Sequence, residues 1–205
     1  MSEQGKLLEA GYQIYQLRGI CIQDIRSEGE RFADGGRKFF STWARRRCPE
    51  LENLRSMEGT SIAISPRELF WPGSDRISYR EQQDLLAIKT LELQTYYPGV
   101  IAIMGSAPDW IDASMQHFKA TGERLFGTRL GLRMTITDTV VKLNDERSDA
   151  RIRVGDFKPK QGLRFDIYQS VELDNKRPDI YDGGQNVVGI MLDLGNLKND
   201  RMIGL

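Results

Sequence analysis

The sequence predicts an α+β protein, helical in its first half and followed by a hairpin-rich mixed sheet with a flanking helix. Two observations carry this expectation. Up to about residue 126 the apolar residues recur mostly at helical spacing, whereas from Thr128 they alternate with polar ones, as in Leu130, Leu132, Met134 and Ile136. Turn signals punctuate both halves: Asp34-Gly35-Gly36, Pro98-Gly99, the polar run Asn144 to Asp149, and Gly183-Gly184. The expected organisation is a helical region over 1–98 and an α/β core over 99–205, with one continuous domain as the alternative.

Each element follows from local pattern. Leu7, Leu8, Tyr12, Tyr15, Ile22 and Ile25 fall near helical spacing, interrupted by Gly11 and Gly19. Arg37 to Arg47 reads as a short helix carrying Phe39, Phe40 and Trp43, ended by Pro49. Ser61 to Ser65 reads as a strand. Ser78 is expected to cap a helix from Tyr79 to about Tyr97, with Glu81 completing a capping box. Val100 to Met104 is a compact apolar strand, and Asp109 to Phe126 a second long helix bearing His117 and Glu123. Extended segments are expected through Val140 and Val141, over Arg151 to Val154, and over Leu163 to Leu173, before a short helix from Asn186 to Leu194.

Composition narrows the function classes. The 205 residues are ample for a self-supporting core, and the 28% charged fraction with balanced signs argues against both disorder and a membrane protein. With 29 basic and 29 acidic residues the chain is no basic nucleic-acid coat, although a local basic groove remains open. No apolar run approaches the roughly 18 residues of a membrane span. Met1-Ser2-Glu3-Gln4-Gly5 does not read as a signal peptide. The expectation is an intracellular protein, cytoplasmic or within a viral or host assembly. Cys21 and Cys48 read as thiols in a reducing compartment, and His117, the one histidine, excludes a multi-histidine metal site. Phosphate-loop and dinucleotide fingerprints are missing, so Gly105 reads as a simple strand-to-helix turn.

The stretch from His117 onward carries chemistry. Asp138 lies on one strand and Val154-Gly155-Asp156-Phe157-Lys158 ends the next. Facing carboxylates of Asp138 and Asp156 could hold one Mg²⁺ or Mn²⁺, with Lys158 two residues on, on the same strand face as Asp156. A metal-bound water steered by that lysine is what phosphodiester hydrolysis needs. The alternative reading of the same three residues is a charged strand edge, where lysine discourages edge pairing. Arg45-Arg46-Arg47 reads either as a phosphate contact or as a solvated helix end.

Ile136-Thr137-Asp138-Thr139-Val140-Val141, a polar turn, then Arg151-Ile152-Arg153-Val154-Gly155-Asp156-Phe157-Lys158 resembles the core hairpin of PD-(D/E)xK nucleases, most of all the RecB-type exonuclease branch. The resemblance covers roughly the last 90 residues. It implies a Mg²⁺-dependent deoxyribonuclease with Asp138, Asp156 and His117 around the metal and DNA as partner. It also implies catalytic roles for Lys158, for Glu123 on the preceding helix and for Gln185 on the following one, with Arg45, Arg46 and Arg47 along the DNA backbone.

A second class stays open beside it: a non-enzymatic structural or interaction protein of a larger assembly, homo-oligomeric or with other proteins. Neutral charge, abundant glycine and the aromatics Phe70, Trp71, Tyr96 and Tyr97 suit a packed interface.

Overall fold

The computed structural model describes residues 2–27, 39–40, 47–74, 77–126, 133–143, 149–158, 162–170, 185–187 and 189–195. In chain order these form α1 (Glu3–Glu9), β1 (Gln13–Gln16), α2 (Ile22–Ser27), β2 (Phe39–Phe40), a 3-10 turn (Pro49–Asn53), β3 (Ser61–Ile64), α3 (Tyr79–Gln94), β4 (Ile101–Ile103), α4 (Ala107–Thr121), β5 (Arg133–Lys142), β6 (Asp149–Lys158), β7 (Gly162–Ser170), β8 (Gln185–Val187) and β9 (Met191–Asp193). The mixed α+β class holds. None of the described helices is long and apolar enough to cross a membrane.

Two sheets enclose α4. One has the order β1-β3-β9-β4 and the other β2-β7-β6-β5-β8. Alternation along β3 sends Ile62 and Ile64 to one face and Ala63 to the other, and β9 divides Met191 from Leu192 in the same way. The first face meets Trp110, Ile111 and Ala113 of α4, whose core continues into Ile152, Val154 and Phe165 of the five-stranded sheet. The second packs Ala63, Ala102 and Leu192 beneath Tyr79, Leu86 and Leu93 of α3 and Leu7 of α1. The four-stranded sheet draws strands from both sides of residue 98, so the two regions expected from sequence share one sheet.

The long helices begin as their sequences dictate. Glu81 accepts from the Ser78 backbone N–H at 2.7 Å while Ser78 Oγ accepts from the Glu81 N–H at 3.3 Å. Ser106 and Asp109 repeat this box on α4, with Pro108 in its first turn. Gly122, at φ +71°, ends α4 five residues before the expected stop, so Glu123 lies past the helix.

Three other expectations are corrected. Tyr12 and Tyr15 belong to the approach and body of β1, because Gly11 at φ +87° breaks the helical run and the chain turns back to pair with β3. Phe39 and Phe40 form β2, parallel to β7, where a helix was expected. Asn186 to Leu194 is not helical: β8 pairs parallel with β5, and β9 crosses to the other sheet between β3 and β4. The Asp34-Gly35-Gly36 turn lies outside the described residues.

That crossing turns at Gly189, whose N–H donates to Thr135 Oγ1 at 2.8 Å. A Cβ here would lie 2.6 Å from Thr135 Oγ1 and 2.8 Å from Trp110 Cζ2, and both neighbours are fully buried. Gly189→Ala is therefore expected to destabilise the protein by about 1–3 kcal/mol through overpacking, read as a lower midpoint in urea unfolding. An unchanged midpoint would mean that this corner yields easily.

Candidate functional site

The β5–β6 hairpin places the two aspartates expected to share a metal. Its ladder runs Met134↔Gly155, Thr135↔Val154 and Ile136↔Arg153, then resumes at Val140↔Arg151. Thr137, Asp138 and Thr139 thus stand opposite the single residue Ile152, a wide bulge. Four bonds hold it. Thr137 Oγ1 donates to Ile152 O at 2.8 Å, Asp138 N–H to Gly105 O at 3.1 Å, the Ala107 N–H to Thr139 Oγ1 at 2.7 Å, and Arg151 Nη1 to Asp138 O at 3.3 Å. Asp138 is tied in this way to the start of α4.

Asp156 belongs to the other end. It lies past Gly155, which pairs with Met134, in a second irregularity where β6 also slips against β7. Its neighbour Phe157 packs on Phe118, near the end of α4, with ring centroids 5.7 Å apart. From the level of Ile152, opposite Asp138, to Asp156 is four residues, or about 13 Å at ~3.3 Å per residue. Mg²⁺ ligands sit ~2.1 Å from the ion, so backbone register does not bring the two aspartates to one level for a shared metal. The register of the hairpin does not set Asp138 and Asp156 directly opposite each other. Among the described residues no group of three or more His, Cys, Asp or Glu side chains could hold a metal ion.

The remaining residues of the expected site also disperse. His117 lies ten residues beyond Ala107 on α4, about 15 Å from the Asp138 bulge at ~1.5 Å per residue. Glu123 is exposed past the helix end, its N–H donating to Thr121 Oγ1 at 3.0 Å. For Lys158 and Gln185 the backbone alone is described: Lys158 pairs with Gly162, and Gln185 begins β8 opposite Arg133 instead of sitting on a helix. Arg45 and Arg46 lie outside the described residues, and Arg47 is half-buried.

Asp156 has a conformational reason to be aspartate. Its φ of +46° is the one positive value among described non-glycine residues. Short polar side chains tolerate this left-handed region best after glycine.

Sequence reasoning missed the polar residues that α4 buries. Asp112 is fully buried and accepts four bonds: the Arg18 N–H at 2.7 Å, Arg18 Nε at 2.8 Å, Ser56 Oγ at 2.8 Å and Gln116 Nε2 at 3.0 Å. Asp109 takes the Met57 N–H at 2.9 Å. These carboxylates bind the segments after β1 and before β3 to the helix. A signal existed: between Ala107 and Phe118 the only charged residues are Asp109 and Asp112, too few for a helix with a solvated face.

His117 is buried against β1, its Nδ1 lying 2.7 Å from Gln13 Oε1 and 2.8 Å from Tyr15 Oη. An amide oxygen only accepts, so Nδ1 donates to it and carries the proton of the neutral ring. Burial pushes the Tyr15 hydroxyl up to about 12. Burial also lowers the His117 pKa from its ordinary value, outweighing the opposing charge of Glu123. Asp138 shifts upward: loss of water and the charge of Asp109 raise it, against Arg151.

Exposed apolar side chains on the described surface include Leu8 of α1, Met57 and Val140, and they lie closest together along α3. Ile88 and Leu91 of α3 are 50% and 70% exposed, and Tyr96 just past its end is 71% exposed. Phe70, Trp71 and Tyr97, grouped with Tyr96 on sequence grounds, are half-buried. Comparison of the chain with protein-family models, curated proteins and solved structures finds no match.

Two outcomes are expected. Asp156→Asn is tolerated, whereas Asp156→Ala costs about 1 kcal/mol in chemical unfolding because alanine resists the left-handed region. Equal effects of the two substitutions would argue that the carboxylate itself matters. The His117 imidazole, the only one in the chain, should titrate below 6.5 by NMR. Because its folded pKa is depressed, the unfolded chain binds the proton first. Its contribution to stability is complete above pH 6.5 and is lost as pH falls through the folded value. A titration at or above 6.5 would contradict the buried neutral ring.

Proposed function

We propose that this chain is a non-enzymatic component of a larger intracellular protein assembly, docking through the outer face of α3. The reading rests on one observation: α3 carries apolar side chains on both faces. Leu86 and Leu93 are buried against the sheet, while Ile88 and Leu91 point away from it at 50% and 70% exposure. Adjacent large apolar residues on the outside of a helix favour association over solvation. Two buried free thiols, Cys21 and Cys48, accord with a reducing compartment. The residues expected for DNA hydrolysis add no support, since Asp138, Asp156 and His117 do not converge.

The test is incubation of the folded protein with labelled single- and double-stranded linear DNA in Mg²⁺ or Mn²⁺, beside an EDTA control. No metal-dependent cleavage is expected, with Asp156→Ala and Lys158→Ala indistinguishable from the unaltered chain. Metal-dependent cutting that both substitutions abolish would overturn the assembly reading in favour of a nuclease.

A further inference from the structure

We infer that the partner of the outer α3 face is a second copy of this chain, docked antiparallel about a two-fold axis near residue 89. The inference rests on the assembly reading and adds the identity and orientation of the partner.

The exposed residues of α3 are arranged with an apolar centre and polar ends. Ala87, Ile88 and Leu91 form the centre, with Glu92 at their flank; Arg80, Gln83 and Asp84 lie toward the start and Gln94 at the end, with Thr95 and Tyr96 beyond. Orientation follows from charge. Parallel pairing of two copies would set Arg80, Asp84 and Glu92 each against itself, which is repulsive at every pair. Antiparallel pairing about residue 89 sets Ala87 against Leu91, a small side chain opposite a large one, and Asp84 against the Gln94 amide. It also brings Arg80 toward the partner's end of the helix, within reach of the exposed Tyr96 ring for a cation–π contact. The two helix dipoles then oppose favourably. A two-fold interface needs this self-complementarity of a single patch.

Lys89 is the residue that could spoil the axis by facing its own copy. It is drawn aside: its Nζ lies 5.6 Å from the Trp71 ring centroid and 3.4 Å from Glu92, and its side chain is 27% exposed. A helix face of this length covers on the order of 500 Å² per protomer, at the low end of specific interfaces, so a weak micromolar dimer is expected.

The experiment is sedimentation velocity of the full chain across micromolar concentrations, with Leu91→Lys and Ile88→Cys variants. The unaltered chain should exchange between monomer and dimer. Leu91→Lys, at an exposed position, should keep the circular dichroism spectrum and melting temperature while weakening the dimer about tenfold or more. Ile88→Cys, next to the axis, should oxidise to a cross-linked dimer, with little background from the buried Cys21 and Cys48. A strict monomer, or a dimer that ignores Leu91→Lys and does not cross-link through Ile88→Cys, overturns the inference. The DNA assay separates the two levels: a monomer that cleaves DNA removes the assembly reading too, and a monomer that does not removes the self-docking alone.

Discussion

Enclosure of α4 between two sheets is the constraint on which the rest of the structure depends. A helix with a sheet on either side has no dry place for an unpaired polar group, since a buried charge without partners costs several kcal/mol. The fold answers locally at every such group. Asp109 closes its own helix N-terminus and receives the Met57 N–H; Asp112 gathers Arg18, Ser56 and Gln116; Ser114 returns its hydroxyl to Trp110 O at 2.6 Å; His117 meets Gln13 and Tyr15. The segments that bring those partners are the ones flanking β1 and β3. The polar side chains of α4 therefore anchor the segments flanking the first sheet, while its apolar side chains pack against both sheets.

The bulge in β5 joins the two sheets around that helix. Three residues opposite one free the Asp138 N–H from the ladder and let it reach Gly105 at the turn between β4 and α4. The Gly189 corner makes the second passage, as the chain leaves β8 beside β5 and enters β9 beside β4. Both passages need glycine for close approach: Gly105 sits at φ +70° with a virtual Cβ 3.0 Å from Trp110 Nε1, and Gly189 lies tighter still. The same bulge ties the Asp138 backbone to the turn before α4, while Asp156 follows Gly155 at the other end of the hairpin, next to Phe157 and Phe118.

Legibility in the sequence followed the range of the interactions. The Ser78–Glu81 box, the strands near Ser61 and Val100, and the long hairpin strands depend on neighbours within a few residues, and their sequence patterns state them directly. The first β-strand was missed because Tyr12 and Tyr15 are also compatible with helical spacing, and only pairing with β3 decides between the two. The last segment was misread because Val187, Val188 and Ile190 are too few to show a period. The expected facing of Asp138 and Asp156 was misjudged in register for a related reason. Alternation with period two assumes an unbroken ladder, and both aspartates sit at or beside irregularities that no residue type announces. Asp109 and Asp112 were legible in principle, through the scarcity of charge on their helix.

The two long helices make the functional argument by contrast. Charge count suggests that α3, with Arg80, Glu81, Asp84, Lys89 and Glu92, is an ordinary solvated helix, and that α4 is the one prepared for contact. Burial reverses the assignment. The acids of α4 are consumed inside the molecule, bonded to its own backbone and side chains, and offer nothing outward. On α3 Arg80 and Asp84 lie toward the start of the exposed face, Lys89 folds onto Trp71 and Glu92, and Glu92 flanks Leu91, leaving Ile88 and Leu91 at the centre. An apolar centre framed by polar ends is the pattern on which the assembly reading rests. The helix that looks most soluble by composition is the one that leaves large apolar side chains uncovered, which is the observation behind the docking proposal.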